Sequence, residues 1–487
     1  MFLKAGALSL GLLLASRLLG LLRESAQAAA FGASGMGDIV VLMLTLPDWL
    51  TGVIASGALA YVLVPAWAGH SHVQVAAMQR KVARGLLGGG SVLALLLALW
   101  PGPAVGWLAS GLSPTMQPTA AQALVWSALA LPAALLAALW ATRLQHEQDF
   151  AGMYGANLVV NATLIAAIAW TATRAPAAVA VSWLGAGLAA AMLLRLAWLH
   201  WRTPLPRGDS AADAAQPLAL PRARLWWWAS LSAGLPLALP FTARSIASQS
   251  GEGALATFNY AWKLVELPLL LSIQLVAALA LPAIAKAVAA RDVASTAGAV
   301  RSSFALAWAL ACAAAAALLL GAPSIAELLF GWGRMDPASL ARVAQWGAIG
   351  AWGLLPQAVI AVALAALAAR GEMKVAVLAY GLALACLLAY AAWGRADGAG
   401  LMIALNTLQL AVAVAVAGAL GSQLRGWLPW RSMLISLLCL VVLAGFAAQL
   451  PVASWGLWPG LSLATFAGLL VMGATWWGSA DLRAALA

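Results

Sequence analysis

Residues 16–24 read Ser-Arg-Leu-Leu-Gly-Leu-Leu-Arg-Glu and place three charges inside an apolar run that extends from about residue 5 to residue 32. The rest of the chain is similarly apolar. Hydrophobic residues make up 64% of its 487 residues, charged residues make up 8%, and the mean hydropathy is +0.94. Soluble domains carry about 25% charged residues, and a soluble protein of this size cannot bury so much apolar side chain. The composition therefore excludes an ordinary soluble enzyme and a disordered chain, and it predicts a membrane protein.

Hydropathy breaks at clusters of turn-forming and charged residues, and these breaks predict about fourteen transmembrane helices. The predicted fold class is therefore an all-α polytopic membrane protein. The predicted spans cover residues 5–32, 37–68, 84–109, 119–143, 150–173, 177–200, 224–249, 253–286, 298–321, 338–369, 373–393, 398–421, 431–450 and 456–478.

The basic residues between these spans are distributed unequally between the two sides of the membrane. One side holds eighteen of them: Lys4, Arg80, Lys81, Arg84, Arg143, Arg195, Arg202, Arg207, Arg222, Arg224, Lys286, Arg291, Arg301, Arg370, Lys374, Arg425, Arg431 and Arg483. The other side holds four: Arg174, Arg334, Arg342 and Arg395. The positive-inside rule then predicts that both termini are cytoplasmic. The net charge of +11 is mostly a topology signal, so we expect no nucleic-acid partner.

The remaining four basic residues fall within apolar spans: Arg17, Arg23, Arg244 and Lys263. A cation at the centre of a membrane helix costs about 2.5–3.5 kcal/mol on insertion scales. Such a cost favours a water-filled cationic cavity, closed to lipid, that binds an anion. Three acidic residues lie near these cations in the sequence: Glu24, Asp38 and Glu266.

Two alternatives to this cavity need no ligand. Lys263 and Glu266 are three residues apart on one helix and could neutralise each other. Arg17 and Arg23 could instead extend their side chains to the two interfaces of the membrane.

An internal repeat relates the two halves of the chain. Arg23 precedes Pro47 by 24 residues, and Arg244 precedes Pro268 by the same interval. Two related bundles around a central site are typical of alternating-access transporters, and prolines inside spans provide hinge positions, so Pro47 and Pro268 are the predicted hinges. The predicted domains are an N-lobe at 1–200 with spans 1–6, a cytoplasmic linker at 201–223, a C-lobe at 224–421 with spans 7–12, and spans 13–14 with the C-terminal tail at 422–487.

The N-terminal motifs resemble those of the MurJ (MviN) family of lipid II flippases in the MOP exporter superfamily. The resemblance rests on residues 16–24, Ala29–Gly32, Asp38, Leu46-Pro47, Gly57-Ala58 and Val64-Pro65, and more weakly on Tyr260–Leu264 and Glu266–Pro268. It implies fourteen helices, arranged as two six-helix lobes around a central cavity plus two C-terminal helices. It also implies a bacterial inner-membrane location.

The same resemblance assigns roles to individual residues. Arg17 and Arg23 match cavity arginines of the family, Asp38 matches an acid at the start of span 2, and Lys263 stands where the family usually has an arginine. After Leu46-Pro47 the family typically has Asn and a pair of arginines, whereas this chain has Asp48 and then Thr51-Gly52. One expected cavity cation is therefore missing, as in a divergent paralogue.

The predicted function is a flippase that moves a polyprenyl-diphosphate-linked cell-wall precursor, lipid II, to the outer leaflet by alternating access. Arg17, Arg23, Arg244 and Lys263 would bind the diphosphate, because phosphate oxygens are strong acceptors for cationic donors. We expect a monomer with no cofactor and no metal. The resemblance implies a sodium site in some members of the family, but span 7 and span 11 of this chain contain no Asp. The membrane potential is therefore the expected driving force.

Two other functions fit parts of the same pattern. A flippase for an exopolysaccharide or O-antigen precursor would need the same cationic cavity, whereas an exporter of organic cations would need an acidic one. A membrane-embedded glycosyl transferase or ligase would need paired carboxylates or a metal site in loops, and no such pair is recognisable, so we expect a transporter rather than an enzyme.

Overall fold

The computed structural model describes residues 2–174, 179–204, 218–394, 397–450 and 455–486, and every regular element in these ranges is a helix. The predicted linker at 201–223 falls largely on residues 205–217, and Arg207 and Arg395 also lie outside the described residues. The α-helices are α1 (Phe2–Phe31), α2 (Gly35–Thr51), α3 (Ala60–Trp67), α4 (His72–Leu99), α5 (Pro101–Leu108), α6 (Gln117–His146), α7 (Phe150–Arg174), α8 (Ala180–Arg202), α9 (Ala223–Ala247), α10 (Ala254–Pro268), α11 (Gln274–Ala289), α12 (Val293–Phe330), α13 (Pro337–Ala351), α14 (Leu354–Arg370), α15 (Lys374–Trp393), α16 (Gly398–Gly418), α17 (Leu424–Trp427), α18 (Trp430–Ala447), α19 (Leu457–Gly478) and α20 (Ala480–Leu486).

Among the described residues, ten helical segments are long and apolar enough to cross a membrane. One of the ten is the continuous stretch Ala254–Ala289, and an eleventh is added if α13 and α14, bent by 47°, count as one span. The predicted all-α membrane fold is therefore confirmed. Each of the fourteen predicted spans overlaps a helix or two consecutive helices. The three predicted spans that are not among these eleven correspond to α1, to α2 with α3, and to α9. The count of fourteen stays a prediction.

Side chains at the helix starts explain where several helices begin. Ser71 accepts the N–H of Gln74 and the Gln74 side chain accepts the N–H of Ser71, which forms a capping box at the start of α4. Asp292 and Asp336 cap α12 and α13 in the same position. Hydrogen bonds from Ser295 lower the pKa of Asp292 below its ordinary value, because they stabilise the charged carboxylate.

The chain divides into an N-terminal unit, residues 1–241 and 251–256, and a C-terminal unit, residues 242–250 and 257–487. In the N-terminal unit, α6 packs against α2, α4 and α8. Leu59, Leu63, Trp67 and Leu139 are fully buried in a core cluster around this helix. The predicted lobe limits are a different division of the chain and stay a prediction.

A charged cluster closes one end of α6. Arg143 is 1% exposed and forms a 2.6 Å ion pair with Glu147 one turn later. Its guanidinium also lies 3.1 Å from His72 Nδ1 and 5.9 Å from the ring centre of Trp67. These contacts compensate the buried charge of Arg143 within the cluster.

The C-terminal unit is organised around α12, which is 38 residues long and so spans about 57 Å. Small residues let α19 lie directly on it: a side chain added at Gly321 would meet Ala464, and one added at Gly460 would meet Ser324. Close approach at small residues is the usual way in which membrane helices gain packing contacts. The helix that overlaps the last predicted span is thus packed along α12.

The two copies of the repeat share the same backbone features. Three pairs of residues are each 221 positions apart: Arg23 and Arg244, Gly32 and Gly253, Pro47 and Pro268. Both glycines have left-handed φ angles, 64° and 81°, which glycine adopts without steric cost. Both prolines lie in the helix that follows the glycine, and π-helices follow at Gly52–Leu59 and Leu269–Ile273. A proline removes a backbone N–H and clashes with the preceding turn. In both copies a wider turn follows it, starting five residues after Pro47 and one residue after Pro268.

Candidate functional site

The centre of the candidate site in the N-terminal unit is Arg23 on α1. Its guanidinium lies 2.8 Å from a Glu24 oxygen and 3.3 Å from an Asp48 oxygen. The side chains of Arg23 and Glu24 are only 11% and 5% exposed, whereas Asp48 is 41% exposed. Arg23 is therefore a buried cation held between one buried and one accessible carboxylate.

Asp48 is a site residue that the sequence reasoning did not include. It lies on α2, 25 positions from Arg23, and the two meet because α1 and α2 pack against each other. The available signal was an acidic residue directly after Pro47 inside an apolar span. Such a residue needs a partner in a membrane, and Arg23 is that partner.

Arg195 on α8 is the second residue that the sequence reasoning missed, because it was counted among the residues at the predicted cytoplasmic ends. It lies seven residues before Arg202, the last residue of α8, which is about 10 Å along the helix. The side chain is half-buried. Its Nε is buried and has no hydrogen-bond partner among the described residues. The spacing from Arg202 was the signal in the sequence, since two turns separate them inside one span.

Arg17 lies on an exposed face of α1. It shares this face with Leu14 and Leu18, which are 39% and 54% exposed. In the part of the chain that the structure describes, no acidic group lies within ion-pair distance of Arg17. The structure thus places Arg17 and Arg23 on one helix but joins only Arg23 to carboxylates.

Asp38 binds backbone amides. It is 1% exposed, and its two oxygens accept the N–H groups of Gly253 and Ala256 at 2.7 Å each. A carboxylate at a helix N-terminus satisfies free donors and interacts favourably with the helix dipole. Asp38 therefore caps α10, and all of these residues belong to the N-terminal unit.

The C-terminal unit contains the other two predicted cations. Lys263 Nζ lies 2.6 Å from Glu266 Oε2 on the next turn of α10, and the two side chains are 21% and 28% exposed. Arg244 is half-buried in the last turn of α9. The predicted pairing of Lys263 with Glu266 is thus present, and the pair still has access from outside the protein.

The described residues offer no group of three or more His, Cys, Asp or Glu that could hold a metal ion. A cavity of about 910 Å³ lies in the N-terminal unit and is lined largely by apolar groups, including Tyr61, Pro65 and Leu225. None of the predicted site residues lines it. Of the predicted cations, Arg23 and Lys263 each lie beside a carboxylate.

The model of one protein family, described as lipid II flippase MurJ, matches residues 27–468 of the chain. The chain belongs to the MurJ family. The predicted family is therefore confirmed over almost the whole sequence. A comparison with curated proteins gives no match.

Solved structures show the same fold. A lipid II flippase MurJ in an inward closed conformation is similar over 95% of this chain and 97% of its own, with a TM-score of 0.78 and 14% identity. An inward-facing multidrug resistance MATE family transporter of the MOP superfamily is similar over 88% of this chain and 95% of its own, with a TM-score of 0.57 and 16% identity. A MOP superfamily transporter from Pyrococcus furiosus is similar over 90% of this chain and 96% of its own, with a TM-score of 0.56 and 15% identity.

Membership of the MurJ family has three consequences for this chain. It points to a transporter rather than an enzyme, to a lipid-linked substrate, and to the bacterial inner membrane. The structural similarities at these low identities establish the fold, and the chemistry has to be argued from the residues of this chain.

Proposed function

We propose that this protein moves lipid II, a polyprenyl-diphosphate-linked cell-wall precursor, from the cytoplasmic to the outer leaflet by alternating access. The observation that carries the proposal is the buried Arg23 between Glu24 and Asp48, in a chain of the MurJ family. A diphosphate is a strong acceptor for guanidinium groups. A cation inside the bilayer region is costly to keep and therefore points to a functional site.

The difference between the two carboxylates suggests how the headgroup is captured. Asp48 is the more exposed acid and makes the longer contact with Arg23, 3.3 Å against 2.8 Å for Glu24. An incoming diphosphate can therefore replace Asp48 while Glu24 keeps Arg23 in place. The site exchanges one anion for another, so the cation is never left bare in the membrane.

The remaining predicted cations complete the site in this proposal. Arg17 is exposed on α1, and Arg244 and Lys263 stand in the second copy of the repeat. The lobes move about Pro47 and Pro268, each of which precedes a π-helix. A π-helix interrupts regular hydrogen bonding, which is why these two positions are the proposed hinges.

The membrane potential is the proposed driving force. Moving one charge across a membrane changes its free energy by about 2.3 kcal/mol per 100 mV. An inside-negative potential favours outward movement of an anionic headgroup, provided that the cations remain with the protein. The protein acts as a monomer. Both termini lie in the cytoplasm in this proposal, because basic residues are in excess on that side.

The experiment is complementation. The chain is expressed in a bacterium whose own lipid II flippase is depleted, and growth and outer-leaflet lipid II are measured. Rescue is the expected result. If Arg23→Gln does not rescue growth at an equal protein level, the rescue by the wild type depends on the proposed site. Failure of the well-expressed wild type to rescue would contradict lipid II as the substrate.

A flippase for an exopolysaccharide or O-antigen precursor is the second candidate. The same guanidinium chemistry favours it, because these substrates carry the same diphosphate, and the departure at Asp48 from the family pattern leaves room for another glycan. Purified protein in vesicles distinguishes the two by transport of lipid II against transport of a polyprenyl-diphosphate O-antigen unit. Transport of the second substrate alone would select this candidate.

A further inference from the structure

The apolar cavity of the N-terminal unit is a groove along α3. Its walls are α3 between residues 60 and 66, Gln145 near the end of α6, and Pro221 and Leu225 around the start of α9. Its volume of about 910 Å³ is near the upper end of the range of about 300–1,000 Å³ for small-molecule sites. Tyr61 and Leu225 are 57% and 41% exposed, so this α3 groove is open to a ligand from outside the protein.

The α3 groove lies at the level where the acyl chains of a membrane meet the headgroups. Trp226, Trp227 and Trp228 directly follow Leu225, and Trp227 is 67% exposed. Tryptophan rings concentrate at the membrane–water interface. From residue 66, close to the predicted end of span 2, α3 rises about 9 Å into the span to reach residue 60. The groove therefore extends from the interface into the apolar layer.

Two arginines stand between residues that line the α3 groove. Arg222 and Arg224 lie between Pro221 and Leu225, where the N–H of Leu225 donates to the carbonyl of Arg222 at 2.9 Å. Both side chains are exposed, and neither forms an ion pair or a hydrogen bond within the part of the chain that the structure describes. Both arginines belong to the predicted cytoplasmic side. The groove thus has two available cations at its interfacial end.

The acids closest to the α3 groove along the chain already have basic partners. They follow Gln145: Glu147 lies 2.6 Å from Arg143, and Asp149 lies 2.7 Å from Arg202. The other segments that line the groove contain no acid. An apolar groove with uncompensated positive charge at the interface is complementary to a lipid with a negative headgroup.

We propose that the α3 groove binds one anionic phospholipid, with an acyl chain on the apolar wall of α3 and the phosphate beside Arg222 and Arg224. Phosphate oxygens are strong acceptors for guanidinium groups. Membrane surfaces that contain anionic lipid also attract basic segments close to a membrane helix. The site goes beyond the proposed function, since its ligand is a lipid of the surrounding membrane that is not transported.

Two other occupants fit the α3 groove less well. In the proposed function lipid II binds at Arg23, and none of the predicted substrate-binding cations lines the groove. The linker of the chain is a poor match for apolar walls, because residues 206–217 contain no large apolar side chain. A phospholipid supplies both the apolar chain and the negative charge.

The test measures binding of phosphatidylglycerol and of phosphatidylcholine with the same acyl chains. Both lipids are titrated into the purified full-length protein in detergent, and bound lipid is counted by native mass spectrometry. Wild type is expected to bind phosphatidylglycerol about tenfold more tightly, since two arginines near the headgroup contribute. The double variant Arg222→Gln/Arg224→Gln is expected to lose this preference. Equal binding of the two lipids by wild type would overturn the proposal.

The matched control is the double variant Arg425→Gln/Arg431→Gln. Both arginines are exposed, stand close to tryptophans in the sequence, and belong to the predicted cytoplasmic side. They lie in the C-terminal unit and do not line the α3 groove. Their removal lowers the net charge by the same amount, and we expect the control to keep the wild-type preference. An equal loss in both double variants would assign the preference to net charge and contradict the site.

A photoreactive group in the acyl chain of phosphatidylglycerol locates the bound lipid. We expect crosslinks on residues 60–66 of wild type. Ala60→Phe fills the α3 groove, leaves both arginines in place and should lose these crosslinks at an unchanged melting temperature. Wild-type crosslinks confined to other helices would contradict the proposal, and this result decides it even if Ala60→Phe does not fold. Displacement of the crosslinks by undecaprenyl diphosphate, but not by unlabelled phosphatidylglycerol, would assign the groove to the substrate tail and overturn the proposal.

Discussion

The two copies of the repeat have the same backbone plan and different charges. Both have a left-handed glycine, a proline inside the next helix and a π-helix after that proline. Aligned in this register, the acids of the first copy stand opposite uncharged residues: Glu24 opposite Ser245, Asp38 opposite Asn259, and Asp48 opposite Leu269. Lys263 and Glu266 stand opposite Leu42 and Thr45. Of these charged positions only Arg23 and Arg244 coincide, so the repeat preserves backbone features while most charged residues differ between the copies.

In the proposed mechanism this difference makes bending and anion binding separable. The proposed symmetric movement of the two lobes depends on backbone features, namely the left-handed glycine, the proline and the π-helix. Both copies have these features. In the part of the chain that the structure describes, the buried ion pair with a second, more exposed acid lies where α1 meets α2. Substitutions of charged residues in the first copy should therefore affect binding and stability together, and substitutions of charged residues in the second should affect them less.

The largest effect is expected for Arg23→Gln. It leaves Glu24 buried without its cation, and breaking one side of a buried pair costs about 3–5 kcal/mol. We expect a loss of melting temperature and at least about a tenfold loss of lipid II transport in vesicles. The double variant with Glu24→Gln should regain stability but not transport. Full transport by the single variant would contradict the asymmetry of the two copies.

The next largest effect concerns the two glycines. Gly32→Ala places an L-residue in left-handed backbone, which costs about 1–2 kcal/mol. Gly253→Ala has the same strain, and its new methyl group would also meet the backbone carbonyl of Ala33, so about 1–3 kcal/mol more is expected from overpacking.

The measurement for both glycine variants is thermal unfolding in detergent. Gly421→Ala is a useful control, since this glycine has a φ of 68° and no atom within 4 Å of an added methyl group. It should show the cost of left-handed backbone alone. Equal losses of melting temperature for the Gly421 and Gly253 variants would show that the close contact with Ala33 is not restrictive.

A smaller effect is expected when the first copy receives the residue of the second at position 38. Asp38→Asn keeps one acceptor for the amides of Gly253 and Ala256 and loses a charge-assisted hydrogen bond worth about 1.5–3 kcal/mol. Unfolding by heat in detergent measures the loss. Asp397→Asn at the exposed start of α16 is the control, because Asn and Asp cap helices almost equally well. If both variants unfold at the same temperature, Asp38 is an ordinary cap.

The sequence was sufficient for the class of fold and for Arg23 as an intramembrane cation. A membrane imposes a minimum length on each apolar segment, and an arginine inside such a segment can be recognised from the sequence alone. Asp48 was not found, because its significance lies in a contact between α1 and α2 that no local pattern encodes. Asp48 was recognised only as a departure from the family pattern.

The roles of the other acids also required the fold. Asp38 was placed with the cations on the basis of its charge, yet its partners are backbone amides more than two hundred positions away. Lys263 and Glu266 were paired correctly, because three-residue spacing on a helix is a local rule. Contacts between residues close in the sequence could therefore be predicted by local rules, whereas contacts between distant residues could not.

The smallest effect is expected for the Lys263–Glu266 pair, and it gives the most direct comparison of the two copies. Both side chains are partly exposed, at 21% and 28%. Exposed ion pairs contribute about 0–1 kcal/mol, so Lys263→Gln should change the free energy of unfolding by less than about 1 kcal/mol. A double-mutant cycle with Glu266→Gln isolates the pair, and the same cycle on Arg23 and Glu24 should give a larger coupling, because that pair is buried. Equal couplings in the two cycles would mean that burial does not distinguish the two pairs, and the proposed asymmetry of the two copies would have to be abandoned.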